Sequence, residues 1–372
     1  MSNVQVYEEL GVRRVVNAWG QLTRLGGSVL SPKVRRAMEE ANRHFVRMEE
    51  LQEAAGKVVA DVTGAEAAYI TGGACAALAL SAAACMTGTD VEKMEALPDT
   101  RGMKNEIIIM RGLRVKYDRC VTIPGAKLVE VGGASGTVPE QLEAAIGPKT
   151  AAIHYLARQE GPMCLEEVVD IARRNDVPVI VDAAGEVYPL EKFKEHVAAG
   201  ADLVCHSSKY FLGPNSAGFL CGRQDLVRAA SMQDFVGFEV GGRRAFGRPM
   251  KLDRQEIVAL VVALCEWLEM DHQARLEEYD RKARSLLKKL ERIPHIEAAA
   301  TPEGQALYSS VTVTLEESAG KTAAEVLEAL REGNPRVEVP LREGKIVFSV
   351  RTLVEGDEQI ILDRLEEILA SD

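Results

Sequence analysis

VDAAGEVYPLEKFKEHVAAGADLVCHSSKYFLGPNSAGFLCGR, residues 181–223, decides the fold. Asp182 closes an apolar run, Val177-Pro178-Val179-Ile180-Val181. A helical pattern over 190–199 follows, then a second apolar run at 202–205, then a Ser/Gly/Pro loop carrying Lys209. Strand, helix, strand in that order is the repeat of a parallel sheet covered on both faces. Side chains at the carboxyl ends of such strands point into the ligand crevice. One carboxylate and one amine are therefore expected at the same rim from neighbouring strands. A structural salt bridge would use the same two residues.

The alternation extends in both directions. Apolar runs at 67–70, 106–110, 127–131, 150–155, 177–181, 202–205 and 218–221 read as strands. Helical patterns at 74–86, 138–146, 165–175 and 190–199 separate most of them. The spacing predicts an α/β domain with a mainly parallel seven-stranded sheet between helices. No helix separates the last two runs, so one of them is expected to run antiparallel at an edge. Ser31-Pro32 suits a helix start, serine as cap and proline in the first turn. That helix runs towards Arg47, and a second covers 49–62. Residues 1–30 read as an N-terminal arm and 31–246 as the large domain. Residues 247–372, linking helix included, read as a small α+β C-terminal domain.

A third piece is TGGACAAL, residues 71–78, which leaves a strand and opens a helix. Glycine lets backbone approach a ligand, and free N–H groups at a helix start attract anions. A plain turn would look the same. The stretch is neither a P-loop nor G-x-G-x-x-G, which disfavours a nucleotide. Together the three pieces match pyridoxal 5′-phosphate (PLP). Its phosphate suits a helix N-terminus, its pyridine nitrogen a carboxylate, and its aldehyde a lysine amine.

On these residues the chain resembles fold-type-I PLP enzymes with the aspartate aminotransferase-like fold. Within them it is similar to the selenocysteine synthase-like group of L-seryl-tRNA selenium transferase and D-glucosaminate-6-phosphate ammonia-lyase. The resemblance is carried by DVTGAEAA at 61–68, IIIMRGLRVKYDRCVTIPGAKLVEVG at 107–132, GADLV with SSK inside 200–209, and GRPMKLDRQEIVAL at 247–260. The last stretch looks closest to the ammonia-lyase branch. The resemblance implies that Lys209 bonds the cofactor aldehyde and moves protons, and that Asp182 pairs with the pyridine nitrogen. Gly72, Gly73, Ala74 and Cys75 would cradle the phosphate, helped by His206 and Ser208. Serine is common where His206 stands, so this histidine either donates to phosphate or packs. His154 would touch the cofactor or sit in the core. Arg111 would face the site or form a surface ion pair. Arg351 would clamp a substrate carboxylate. Arg248 and Lys251 would reach a neighbouring subunit's site.

The implied activity is a lyase: Cα deprotonation and β-elimination on an amino acid or amino sugar acid, releasing ammonia and a 2-oxo acid. Selenium transfer on seryl-tRNA, another reaction at Cα such as racemisation or aldol cleavage, and a catalytically silent scaffold are the other readings. Retention of Asp182 and Lys209 speaks against the scaffold. The chain has 372 residues with 45 Lys and Arg against 56 Asp and Glu, a net charge of −11. No basic run suits a phosphate backbone, so no nucleic-acid partner is expected. No apolar run approaches the ~20 residues of a membrane span. With no apolar leader at the start, the protein is expected in the cytoplasm as a homodimer or larger homo-oligomer acting on a small amino substrate. Seven cysteines without C-x-x-C read as small buried hydrophobes in a reducing compartment, and no metal site is expected.

Overall fold

The computed structural model describes residues 5–133, 136–157, 161–302 and 308–370. The chain divides into a larger unit, Leu30–Leu268, and a smaller one made of Met1–Val29 and Glu269–Asp372.

In the larger unit, helix α1 (Pro32–Asn42) starts as its sequence dictates, with the Val34 N–H donating to Ser31 Oγ at 3.1 Å. Helix α2 is Met48–Thr63. The sheet contains β1 (Ala67–Thr71), β2 (Glu106–Met110), β3 (Lys127–Val131), β4 (Thr150–Leu156), β5 (Val179–Asp182), β6 (Leu203–Ser207) and β7 (Gly218–Gly222). Between them lie, among other helices, α3 (Ala74–Thr87), α4 (Leu165–Arg174) and α5 (Lys192–Ala198). The strand order is β1-β7-β6-β5-β4-β2-β3. β2 to β6 run parallel to their neighbours among themselves, while β7 is antiparallel to both β1 and β6. The antiparallel strand is thus internal and not at an edge. The short loop from β6 turns the chain straight back, and β1 then closes on its far side. Gln52 of α2 covers the outer β1 edge, donating to the Ile70 carbonyl at 3.0 Å and accepting from its N–H at 3.1 Å.

Strand alternation divides this sheet into two faces. One packs on α3: Ile107, Ile180, Leu203, Cys205 and Leu220 share an apolar cluster with Ala77, Leu78 and Leu80. The Ser81 hydroxyl and the Cys205 thiol meet there at 3.5 Å. The opposite face of β6 and β7 carries His206 and Phe219, ring against ring at 4.9 Å between centroids, with Phe193 of α5 at 5.5 Å from the imidazole.

Helix α6 (Arg254–Glu269) belongs almost wholly to the larger unit, which moves the expected boundary from near Gly247 to 269. Its side chains explain this. Arg254 donates to the Ala41 and Asn42 carbonyls at 3.0 and 3.1 Å, and Trp267 Nε1 donates to the Val187 carbonyl at 3.0 Å.

The smaller unit contains α7 (His272–Leu290), β8 (Ile296–Pro302), β9 (Tyr308–Leu315), α8 (Ala323–Glu332), β10 (Leu341–Arg342), β11 (Lys345–Ser349) and α9 (Asp357–Ala370). Its antiparallel sheet has the order β10-β11-β9-β8. Residues 1–30 are not merely an arm. Val15–Asn17 pairs in parallel with Arg336–Glu338, and Val16 and Ala18 are completely buried in this unit's core. Three apolar-edged residues were too short a run to register as a strand.

Candidate active site

The sheet register brings three segments to one rim. Thr71 of β1 pairs with Gly218 of β7, and Gly218 with Ser207 of β6. Asp182 ends β5 opposite Cys205 of β6. Asp182 lies two residues beyond Ile180, so its side chain shares the α3 face. Lys209 follows Ser207 by two residues, inside a single 3-10 turn, Ser208–Phe211.

The cradle is backbone. Gly73 precedes α3 with φ +87°, a left-handed conformation that side chains resist, and no side chain caps the helix. The first-turn N–H groups of a 14-residue helix therefore face outward, an anion site by geometry. A Cβ on Gly72 would stand 3.0 Å from the Met250 carbonyl, which walls the cradle on that side. A Cβ on Gly218 would stand 2.7 Å from Gly73 C and 2.8 Å from Ala74 N, so this glycine lets β7 press against the helix start.

Asp182 is 5% exposed. Burial raises its carboxyl above the ordinary range, and one hydrogen bond from the Ala184 N–H, at 3.1 Å, opposes this. An ionised carboxylate in that place calls for a cation. Lys209 is 8% exposed, and burial lowers the proton affinity of its amine, with Cys75 pulling the other way. Its Nζ stands 4.9 Å from the centre of the Tyr210 ring. Lowered proton affinity favours the neutral amine, the form that acts as nucleophile and base. Cys75, in the first turn of α3, feels both Asp182 and Lys209, so cradle, carboxylate and amine form one locus. PLP fits it: the cradle would take the phosphate, Asp182 would face the protonated pyridine nitrogen, and Lys209 would bond the aldehyde.

Other expected residues divide. His206 is turned away from the cradle, onto the opposite sheet face in an aromatic cluster with Phe193 and Phe219. Burial brings its imidazole down to about 3, the neighbouring His196 adding to this and the Ala183 backbone offsetting a little. It packs and does not donate to phosphate. The Ser208 hydroxyl donates to the Pro214 and Ala217 carbonyls, so it braces the loop instead of the phosphate. His154 lies inside β4, which runs on to Leu156, the partner of Asp182. It lies two pairs inside the rim, fully buried, and burial lowers it to about 4. Arg111 leaves β2 at the rim but is exposed and paired with Glu130 at 3.5 Å. Arg248 is paired with Glu239 at 2.6 Å, and Lys251 is exposed. Arg351 follows β11 in the smaller unit, exposed to solvent. Sequence reasoning missed Met250, Gly218 and Tyr210. Tyr210 adjoins the lysine, and Gly218 opens a strand at a place that needs no side chain; both were readable hints.

The fold and this locus define a PLP-dependent enzyme with the aspartate aminotransferase-like fold. The chain belongs to the class-V aminotransferase family, whose pattern matches residues 30–340. It is 35% identical to 5′-C-glycyluridine monooxygenase-decarboxylase from Streptomyces sp, over 99% of this chain and 93% of that protein. It is 33% identical to D-glucosaminate-6-phosphate ammonia lyase from Salmonella typhimurium, over 98% and 97%. A solved structure of D-glucosaminate-6-phosphate ammonia-lyase superposes with a TM-score of 0.88 at 31% identity, covering 99% of each chain.

Proposed function

We propose that the protein is a PLP-dependent lyase that removes the Cα proton of an amino acid or amino sugar acid and expels a β-substituent. The products are ammonia and a 2-oxo acid. The observation that carries this reading is the end-to-end fit to the ammonia-lyase structure, with Asp182 ending β5 and Lys209 two residues past the end of its neighbour β6. When bound, PLP supplies an electron sink for the pair left at Cα. Asp182 keeps the pyridine nitrogen protonated. Lys209 would hold the cofactor, and its amine, of proton affinity lowered by burial, would take the Cα proton. Arg351 is proposed as the carboxylate clamp, since a guanidinium fork matches a carboxylate. Arg248 and Lys251 are proposed to serve the site of a second copy in a homodimer or larger assembly. Among the described residues no helix is long and apolar enough to cross a membrane, and a cytoplasmic enzyme with a small amino substrate is the proposal.

A second reading has a specific observation behind it. The relative at 35% identity is named a monooxygenase-decarboxylase, so oxidative decarboxylation of a glycyl-type amino acid is the competing chemistry. One experiment separates them. Purified enzyme is screened against D- and L-amino acids, phosphorylated amino sugar acids and glycyl nucleosides, while ammonia, 2-oxo acid, carbon dioxide and dissolved oxygen are followed together. The lyase gives equal ammonia and 2-oxo acid with no oxygen uptake. Oxygen uptake matched by carbon dioxide would overturn it in favour of the second reading.

A further inference from the structure

Arg351 sits in a turn of the smaller unit that is fastened more fully than an exposed arginine needs. The turn follows β11, and the Leu353 N–H donates to the Val350 carbonyl at 3.3 Å. Arg351 and Thr352 are therefore its two central residues. Val350 and Leu353, the two ends, belong to the unit's core, while Arg351 between them is exposed. Three hydrogen bonds hold the turn to its surroundings. The Ser349 N–H donates to the Ala18 carbonyl at 2.8 Å, and the Val350 N–H to the Ser309 carbonyl at 2.9 Å. The Thr352 hydroxyl donates to the Asn17 carbonyl at 2.7 Å.

The N-terminal acceptors are themselves held. The Ala18 N–H donates to the Glu338 carbonyl at 3.0 Å, which continues the pairing of Val15–Asn17 with Arg336–Glu338. The Asn17 side chain closes the chain beyond it. Its Oδ1 accepts from the N–H groups of Trp19 and Gly20 at 3.1 and 3.2 Å, and its Nδ2 donates to the Gly20 carbonyl at 2.8 Å. Backbone satisfaction accounts for the amides of Ser349 and Val350, which must find acceptors once buried beside a strand end. The Thr352 bond is of another kind. It is a side-chain donor placed next to the arginine, tied to a carbonyl 335 residues away in sequence. An arginine that serves only solubility gains nothing from a fixed backbone. One that reads a planar carboxylate at two points does, because freedom removed before binding is not lost on binding.

We infer that Thr352 and Asn17 are positioning residues for Arg351, holding its turn so that the guanidinium meets the substrate carboxylate ready-oriented. This rests on the reading of Arg351 as the carboxylate clamp. Thr352 supplies the strap, and Asn17 supplies both the carbonyl that receives it and the side chain that keeps this carbonyl in place. The substrate class follows: an amine with a free carboxylate on the carbon that bears it, in preference to the corresponding amide. The N-terminal stretch Val15–Asn17 thereby acts on substrate choice without touching the substrate.

The test titrates the PLP-loaded enzyme with alanine and with alaninamide, each as the D and the L form, and reads the change in PLP absorbance. Alanine has no β-substituent to lose, so binding is read without elimination. The ratio of the two affinities is the preference for acid over amide, and the parent enzyme is expected to favour the acid. Thr352→Val keeps the side-chain shape and removes the donor. It should lower that preference about fivefold, the size of one ordinary hydrogen bond, by weakening alanine and leaving alaninamide and PLP binding as they were. Thr352→Ser should restore it, and Asn17→Ala should lower it as well. Should Thr352→Val not hold PLP, Thr352→Ala is read in its place. A preference that stays at the parent value in the Thr352 variant but falls in Arg351→Lys overturns the inference and leaves the clamp standing. A preference unmoved in both variants, or absent from the parent, overturns the clamp and the inference together.

Discussion

The two faces of β6 differ by one residue in sequence and by everything in chemistry. Cys205, against Ser81 of α3, lies on the face where Asp182 and the cradle converge. His206 lies on the other, among Phe193 and Phe219, where burial keeps its imidazole neutral. Nearness to Lys209 along the chain made His206 look like a phosphate ligand. In a strand, distance in sequence is a worse guide than parity: residues one apart serve opposite sides of the sheet. The site belongs to the α3 face, and the opposite face is ordinary core.

Four substitutions would break or sharpen that contrast. Lys209→Ala should abolish turnover and the covalent chromophore together. If borohydride still fixed PLP to this variant, another amine would be the anchor. Asp182→Asn should fold and bind PLP yet lose several powers of ten in rate, each worth about 1.4 kcal/mol of barrier. Near-normal turnover would make Asp182 a structural acid, and the α3 face would lose its claim.

Gly218→Ala probes the seam between the faces. The new Cβ would lie 2.5 Å from the His206 carbonyl and 2.7 Å from Gly73 C, both backbone atoms that yield only by shifting the strand or the helix start. A loss of about 1–3 kcal/mol in stability is expected, with PLP affinity about tenfold lower, read by fluorescence titration. Unchanged affinity with lost stability would mean that the helix start does not bear on the cofactor.

His206→Phe should have the smallest effect at the site: the PLP spectrum and affinity stay as in the parent. Its signature is acid stability. The folded imidazole titrates near 3, far below the unfolded value near 6.5, so between these values the unfolded chain binds the extra proton. The histidine's contribution is therefore intact above about 6.5 and falls as pH drops, reaching a loss of about 2 kcal/mol near pH 5. The phenylalanine variant should lose less melting temperature than the parent between pH 7 and pH 5. If it instead released PLP at neutral pH, the assignment of His206 to the core face would fail.

Much of this was legible in the sequence because burial on both faces writes strands as unbroken apolar runs. Glu106–Met110 and Lys127–Val131 are found at their expected limits, and Asp182 ends its strand as expected. Polar strand ends were not legible. β6 runs through His206 and Ser207, and β4 through Leu156, because ladder hydrogen bonds hold them whatever the side chains are. Placing the end of β6 short left the parity of His206 unread. The internal position of β7 depends on β1, far away in sequence, and no local pattern encodes that pairing.

The pairing of β1 with β7 also governs when the enzyme can exist at all. Its partners Thr71 and Gly218 are about 150 residues apart, and the cradle helix starts beside that seam. Closing so long a loop carries an entropic cost that later contacts must repay. During synthesis, β1 and the cradle emerge from the ribosome long before the strand that holds them. A nascent chain halted anywhere short of Gly218 has its phosphate site in the wrong company, or none. Cofactor capture is therefore expected only after the chain has passed Gly218 and the seam has closed.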